Sequence, residues 1–312
     1  MTGGDPIPAA LDRHYKFLRL EWTQELRMLR LRMNVHPVPC YTFSAMSELR
    51  KAFNDIDANP GLVRHYVMTS DVPNVYNFGG DLELFALLVK ARDLDSLKLY
   101  GRKCIDLIWW VEKAAERSIR TTVLAQGDAL GGGLESVLPF QNIVFERSVR
   151  AGFPEALFNL FPGMGAWNFT IRRAGFQVAN EMILSGSLYS ADELLRRGMV
   201  DHVVDDGDGE RKLENIVRSI DGRHHGQLAA LRARTMAAPV TYESLAAIVD
   251  HWAETAMGLT DRDLRLMERL ARAQVRKLGG AETGAAEEIK RIELETAWGE
   301  FQESTQTAAW ES

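Results

Sequence analysis

Two glutamates are the residues of this sequence whose type and setting first indicate chemistry. Glu135 and Glu155 are 20 positions apart, and Glu135 has the apolar neighbours Leu134, Val137 and Leu138. Carboxyl groups in an apolar pocket can divide the roles of acid and base, because burial raises the pKa of one or both. The pattern therefore indicates proton transfer by paired carboxyl groups, and the ordinary alternative for either residue is a charge on a helix surface.

Two glycine clusters accompany the glutamates, Gly79-Gly80 and Gly131–Gly133, each where a strand gives way to a helix. Glycine lets a ligand approach the backbone closely, and first-turn N–H groups have no partner within the helix. Such donors suit a phosphate or a developing oxyanion. No Lys-Ser or Lys-Thr follows the glycines, and neither a dinucleotide fingerprint nor a nucleophile elbow occurs in context, so a phosphate loop is disfavoured. A simple tight turn remains the alternative.

The elements that must position these residues alternate along the chain. Period-two or β-branched apolar segments predict strands, and apolar residues three to four apart predict helices. Strands are expected within 18–33 and at 63–70, 121–126, 142–145 and 200–204, and helices at 43–56, 81–92, 94–117, 168–184 and 191–197. This alternation is typical of an α/β fold. After 207 the pattern is helical throughout, and 250–276 predicts an amphipathic helix or helix pair.

Charge divides the 312-residue chain unequally. The net charge is −6, and residues 279–312 alone hold eight Glu against two basic residues, so the remainder is neutral. A neutral body without a basic block disfavours nucleic-acid binding. No apolar stretch of membrane-spanning length and no secretion signal are visible, and two distant cysteines with scattered histidines favour a reducing cytoplasm without a metal site.

Three segments in this order and spacing resemble the crotonase (enoyl-CoA hydratase/isomerase) superfamily. They run from Asn77 to Leu82, from Gln126 to Glu135, and from Pro154-Glu155 to Gly163-Met164-Gly165-Ala166. Within the superfamily they are most similar to the diffusible-signal-factor synthases, which make cis-2-unsaturated fatty-acid signals. The resemblance is strong over 63–204 and weaker on either side. It implies a ββα spiral core at 13–206, preceded by a flexible arm at 1–12. A helical region at 207–278, for covering the site or trimerisation, and an acidic tail at 279–312 would follow.

The resemblance also implies roles for individual residues. The N–H groups of Gly80 and Gly132 would form an oxyanion hole around a thioester carbonyl, and Glu135 and Glu155 would be the acid/base pair. The remaining expected substrate contacts are Gly79, Gly131, Gly133, Met164 and Trp167, the last two as lining of the acyl pocket. The C-terminal helices would cover the site, although packing against the protein's own core explains the same pattern.

The implied reaction is dehydration of a 3-hydroxyacyl thioester, carried by acyl carrier protein or CoA, followed by hydrolysis to a cis-2-unsaturated fatty acid. No cofactor and no metal are expected. The expected assembly is a homotrimer or a dimer of trimers, with a sensor kinase as a possible regulatory partner. Two alternatives stay open: an enoyl-CoA hydratase or isomerase of fatty-acid or secondary metabolism, and a crotonase-like scaffold that acts mainly by binding a regulatory protein.

Overall fold

The structure, a computed structural model, describes residues 5–278. Within them lie ten strands: β1 Leu18–Thr23, β2 Met28–Met33, β3 His65–Ser70, β4 Val75–Asn77, β5 Arg120–Ala125, β6 Asp128–Leu130, β7 Asn142–Glu146, β8 Arg150–Gly152, β9 Leu188–Ser190 and β10 His202–Val204. The three-residue strands are too short for an alternating pattern to reveal them.

Helices occupy most of the remaining described chain. They are α1 Phe43–Asp57, α2 Leu82–Lys90, α3 Leu94–Glu112, α4 Gly132–Val137, α5 Ala166–Ala174, α6 Phe176–Ser185, α7 Ala191–Arg196, α8 Gly209–Asp221, α9 His224–Ala237, α10 Tyr242–Ala256 and α11 Asp261–Lys277. Two 3-10 helices cover Lys113–Ala115 and Pro154–Phe158. Side chains cap several N-termini, as Thr42 does for α1 and Asp81 for α2, because they accept otherwise unpaired N–H groups.

A six-stranded sheet forms one layer of the core, in the order β1-β2-β3-β5-β7-β10. Only the β1–β2 pair is antiparallel, and the other neighbours are parallel. Every residue of β5 is buried, which accounts for the β-branched and apolar sequence that follows Arg120, since parallel strands are covered on both faces.

A second, four-stranded sheet in the order β4-β6-β8-β9 sets the geometry of the site. The strands β4, β6 and β8 are parallel neighbours, and each follows a strand of the larger sheet after a few residues. Asn77 pairs with Ala129, and Leu130 pairs with Gly152. The carboxyl ends of these three strands therefore meet at one edge, where the chain continues into Gly79-Gly80, Gly131–Gly133 and Pro154-Glu155.

The C-terminal helices pack on the core and also contribute residues to the cavity. That they cover the site or build a trimer stays a prediction. Helix α10 packs on α3, and α11 packs on α2 and on the 3-10 helix Pro154–Phe158. Residues from both helices line the cavity described below. None of the helices described here is both long and apolar enough to cross a bilayer.

Three expectations differ from the structure. The segment 5–12, largely exposed, is anchored at both ends rather than free: the Leu11 side chain is 2% exposed, and the backbone N–H of Asp5 donates to the carbonyl oxygen of Trp22 (3.1 Å). The helix expected at 168–184 is two helices, α5 and α6, because Gly175 between them has a φ of +85°. The helix expected at 94–117 ends at Glu112 and continues as a 3-10 turn. The predicted acidic tail at 279–312 lies outside the described residues.

Candidate active site

The three segments at the edge of the small sheet enclose a cavity of about 330 Å³. Gly80 comes from the first segment, Gly131, Gly132 and Glu135 from the second, and Glu155 from the third. Residues separated by up to 75 positions in sequence thus share one site. The carboxyl ends of adjacent parallel strands are where such sites form in open α/β sheets.

Gly79-Gly80 and Gly132 lie in backbone contact across the cavity. A Cβ atom on Gly132 would lie 3.3 Å from Gly80 N and 2.7 Å from Met164 Sδ. A Cβ atom on Gly79, whose φ is +88°, would lie 2.7 Å from Gly132 N. Side chains at either position would force the two segments apart, so both must be glycine for the N–H groups to converge.

The N–H groups of Gly80 and Gly132 donate no hydrogen bond to any atom of residues 5–278. Gly132 is buried and Gly80 is partly exposed, so the cavity has two backbone donors that no described residue satisfies. Gly132 begins α4, where the N–H has no partner within the helix. The pair is suited to bind a carbonyl oxygen and to stabilise the negative charge that it gains in an enolate or a tetrahedral intermediate.

Glu135 is held at the cavity by the segment that follows the 3-10 helix. Its side chain is 1% exposed, and its Oε1 accepts hydrogen bonds from Met164 N (2.7 Å) and Ala166 N (2.9 Å). Burial raises its pKa to about 7, although the two N–H donors act in the opposite direction. Both hydrogen bonds go to Oε1, and no described residue donates to Oε2.

Glu155 is the second carboxyl group at the cavity. Its side chain lies against Gly131, and no hydrogen-bond partner of its buried Oε2 is found within the described chain. Burial, and then the negative charge of Glu135, hold the pKa of Glu155 well above its ordinary value. Glu155 therefore keeps its proton to higher pH than Glu135.

Most of the other lining residues are apolar, and Asp81 and Asp128 are the only further acidic residues among those described. Apolar contributors include Leu82, Phe85, Leu160, Trp252, Met267 and Leu270. No Lys, Arg or His side chain from residues 5–278 lines it. The same part of the chain contains no group of three or more His, Cys, Asp or Glu side chains that could hold a metal ion.

The two predicted pocket side chains have different positions. Met164 lines the cavity, with its sulfur next to Gly132. Trp167 is not among the lining residues, and its ring packs near Phe176 (6.2 Å between centroids). Trp167 follows Ala166, whose N–H donates to Glu135. Successive side chains of a helix point about 100° apart, so a residue next to Ala166 in sequence can face away from the cavity. The expectation that Trp167 contacts the acyl chain is therefore not supported.

Trp252 on α10 is the tryptophan that lines the cavity instead. A Cβ atom on Gly163 would lie 2.6 Å from its ring, which shows how closely the loop packs on it, and Phe85 lies 5.2 Å away between centroids. Tyr100 on α3 also lines the cavity. Neither residue is recognisable as a site residue from the sequence, because both have the spacing of ordinary core positions and their helices are remote in sequence from the glycine motifs.

Known proteins match this chain over most of its length. The model of the family described as "Enoyl-CoA hydratase/isomerase" matches residues 36–254. The fatty acid oxidation complex subunit alpha of Pseudomonas syringae pv. tomato is 31% identical over 159 residues, which are 51% of this chain and 21% of that relative. The chain therefore spans about a fifth of that relative's length.

Solved structures share the fold. Human mitochondrial delta3-delta2-enoyl-CoA isomerase superposes with a TM-score of 0.71 at 16% identity, covering 85% of this chain and 100% of that one. DspI from Pseudomonas aeruginosa has a TM-score of 0.60 at 23% identity, covering 73% of this chain and 88% of that one. The expected crotonase-like α/β core with a helical C-terminal region is confirmed. The chain belongs to the enoyl-CoA hydratase/isomerase family, within the crotonase superfamily.

Proposed function

We propose that this protein interconverts 3-hydroxyacyl and 2-enoyl thioesters, and that dehydration is its main direction. One observation carries the proposal: Glu135, which is buried, and Glu155, which is half-buried with a buried Oε2, line the same largely apolar cavity as Gly80 and Gly132. The backbone N–H groups of these two glycines have no partner within residues 5–278. Family members with this reaction need an oxyanion site for the thioester carbonyl and separate groups for the two protons. An isomerase needs the same oxyanion site, but retention of both Glu135 and Glu155 favours addition or loss of water.

In the dehydration, one carboxylate takes the proton from the carbon next to the thioester carbonyl. The C3–O bond then breaks, a C2=C3 double bond forms, and the other carboxyl group gives its proton to the departing hydroxide, which leaves as water. Negative charge develops on the carbonyl oxygen when the α-proton is removed. The N–H groups of Gly80 and Gly132 would stabilise that charge. One such donor typically lowers the activation free energy by about 3 kcal/mol.

The relative pKa values of Glu135 and Glu155 indicate which of them is protonated before substrate binds. Glu135, with a pKa of about 7, is the more readily ionised group, and Glu155 holds its proton. In the hydration direction the Glu135 carboxylate would activate water while Glu155 protonates the α-carbon. Dehydration begins with the proton on the other carboxyl group, so that Glu155 is ionised and Glu135 is protonated. Both directions therefore use one total protonation state.

Hydrolysis of the enoyl thioester is the further step that we propose. A carboxylate would activate a water molecule, whose oxygen adds to the carbonyl carbon. The C–S bond then breaks, and the proton passes to the carrier thiolate, so the products are a 2-enoic acid and a free thiol. The support is the likeness of residues 77–82, 126–135 and 154–166 to the diffusible-signal-factor synthases. By the same likeness, the acid would have cis geometry and serve as a signal.

The carrier is proposed from the cavity's charge. Its lining, as far as residues 5–278 provide it, contains acidic but no basic side chains, so the phosphates of CoA find no counter-charge inside. An acyl group delivered by acyl carrier protein needs none there, because its phosphate is attached to the protein. A homotrimeric assembly, a cytoplasmic location and a sensor-kinase partner are proposals that rest on the family resemblance alone.

The test is a product analysis with matched substrates. The same 3-hydroxyacyl chain would be presented on acyl carrier protein and on CoA, and the products would be identified by mass spectrometry. We expect loss of one water from the acyl group, faster turnover on acyl carrier protein, and release of a free 2-enoic acid. Dehydration without free acid would remove the hydrolysis step alone, while a shifted double bond without water exchange would favour an isomerase.

A further inference from the structure

Tyr100 holds the oxyanion loop from behind. Its ring lines the cavity, its side chain is 3% exposed, and its hydroxyl group makes two backbone contacts. The Asp81 N–H donates to Tyr100 Oη (2.8 Å), and Tyr100 Oη donates to the carbonyl oxygen of Tyr41 (2.8 Å). The hydroxyl thus links the residue after Gly80 to a separate segment of the chain.

The residue before Gly80 is fixed to the same segment. The N–H of Tyr41 donates to the Gly79 carbonyl oxygen (2.8 Å), and the N–H of Gly79 donates to the Asn77 side-chain oxygen (2.7 Å). Both peptide neighbours of Gly80 are therefore hydrogen-bonded. The Gly80 N–H between them is the one donor of this turn that residues 5–278 leave unpaired.

Close packing of Tyr100 on Gly80 completes the constraint. A Cβ atom on Gly80 would lie 3.3 Å from Tyr100 Oη, so the hydroxyl is in direct contact with the face of Gly80 that would carry a side chain. Tyr100 itself is fixed by the Phe43 ring, whose centroid lies 5.4 Å away in an edge-to-face arrangement. The hydroxyl cannot move without moving the turn.

We infer that Tyr100 is a positioning residue, which aims the Gly80 N–H at the substrate carbonyl by clamping Asp81 to Tyr41. The inference rests on the proposed function, since it assumes that Gly80 binds a thioester oxygen. Tyr100 acts through Gly80 and takes no part in proton transfer. An oxyanion donor is effective only within a few tenths of an ångström of its position, and loss of the clamp weakens transition-state binding more than ground-state binding.

The test variant is Tyr100→Phe, and Tyr66→Phe is its matched control. The Tyr66 hydroxyl is also buried but has no hydrogen-bond partner in the described chain, so its removal deletes no contact. For Y100F we expect kcat to fall by about tenfold to a hundredfold, somewhat less than for loss of an oxyanion donor itself, with KM changed less than about threefold. Y66F keeps the kinetics of the wild type.

A spectroscopic measurement separates positioning from general damage. A saturated acyl thioester labelled with 13C at the carbonyl cannot be dehydrated, and hydrogen bonds from the oxyanion site lower the carbonyl stretching frequency of the bound molecule. The wild type and Y66F should show this lowering, and Y100F should show a smaller one. If Y100F does not fold, 3-fluorotyrosine at position 100 retains the hydroxyl with altered hydrogen-bond strength and should shift the frequency by an intermediate amount.

The outcomes distinguish this inference from the proposed function. If the wild type lowers the carbonyl frequency and turns over substrate, and Y100F gives the same frequency and the same rate, the role of Tyr100 is overturned. The proposed function then still stands. A wild type that neither lowers the frequency nor turns over any acyl thioester would overturn the proposed function, and the inference with it.

Discussion

Gly80 and Gly132 face each other across the candidate site so closely that a Cβ atom on Gly132 would lie 3.3 Å from Gly80 N. The two residues are 52 positions apart in sequence and follow neighbouring strands of the small sheet. The triple glycine is therefore more than a turn, because a side chain on Gly132 would collide with Met164 and with the Gly79-Gly80 backbone.

Gly132→Ala tests this relationship. The added methyl group would meet Met164 Sδ at 2.7 Å and the backbone of Gly79 at 3.1 Å, so the two segments must separate. We expect kcat to fall by at least about a hundredfold, as for loss of one oxyanion donor, with a smaller change in KM. Steady-state kinetics and thermal unfolding would be measured together.

Gly222→Ala is the control for that substitution. Gly222 has the right-handed helical conformation at the end of α8, and a Cβ atom there would have no neighbour within 4 Å. It should leave the kinetics unchanged and stabilise the protein slightly, because alanine restricts the unfolded chain. Equal kinetics for G132A and G222A would show that the N–H of Gly132 has no role in turnover.

Trp252→Leu should weaken substrate binding, whereas Trp167→Leu should not. Trp252 lines the cavity, and Trp167 packs away from it beside Phe176. Loss of roughly 60 Å² of apolar contact with an acyl chain, at about 25 cal/mol per Å², weakens binding by about 1.5 kcal/mol, roughly tenfold. KM would be measured for a series of acyl lengths. A larger effect of W167L than of W252L would contradict this placement of the acyl group.

The rate should depend on pH through the shared proton of the two glutamates. For hydration, Glu135 must be ionised, and its pKa is raised to about 7 by burial, so kcat/KM should increase as the pH rises through about 7. At higher pH Glu155 also loses its proton, and the rate should fall again. Dehydration needs the same number of protons and should give the same bell-shaped profile.

The pH profile needs two controls: a measurement of stability at each pH, and a variant in which an exposed carboxyl group is removed. Thermal unfolding across the same pH range would show that the protein stays folded. Glu181→Gln changes a surface carboxyl paired with Arg197, and it should leave the profile unchanged. A rate that stays constant between pH 5 and 9 would mean that the pair does not titrate in the reaction.

Much of the core was predictable because its elements are long and periodic. The strands β1 and β2, helix α1 and the buried strand β5 lie within a few residues of their predicted positions. The glycine segments and Glu135 were predictable as well, since residue type and spacing there are unusual for a surface.

Other features depend on contacts between segments remote in sequence. The strands β4, β6 and β8 contain only three residues each and exist because they pair with one another. Trp252 and Tyr100 have the ordinary pattern of core helix residues, and only the packing of α10 and α3 against the small sheet brings them to the cavity. Trp167 is not among the residues that line the cavity, because closeness in sequence to Ala166 does not fix the direction of a helical side chain.

The most direct test of the central claim compares the wild type with Glu135→Gln, Glu155→Gln and the double variant, using dehydration of a 3-hydroxyacyl thioester. Glutamine keeps the shape but cannot transfer the proton. We predict that each single variant loses about a hundredfold to ten-thousandfold in kcat, the usual contribution of general acid–base catalysis. The double variant should be little slower than either single one, because the two groups act as a unit. Wild-type rates in either single variant would contradict the account.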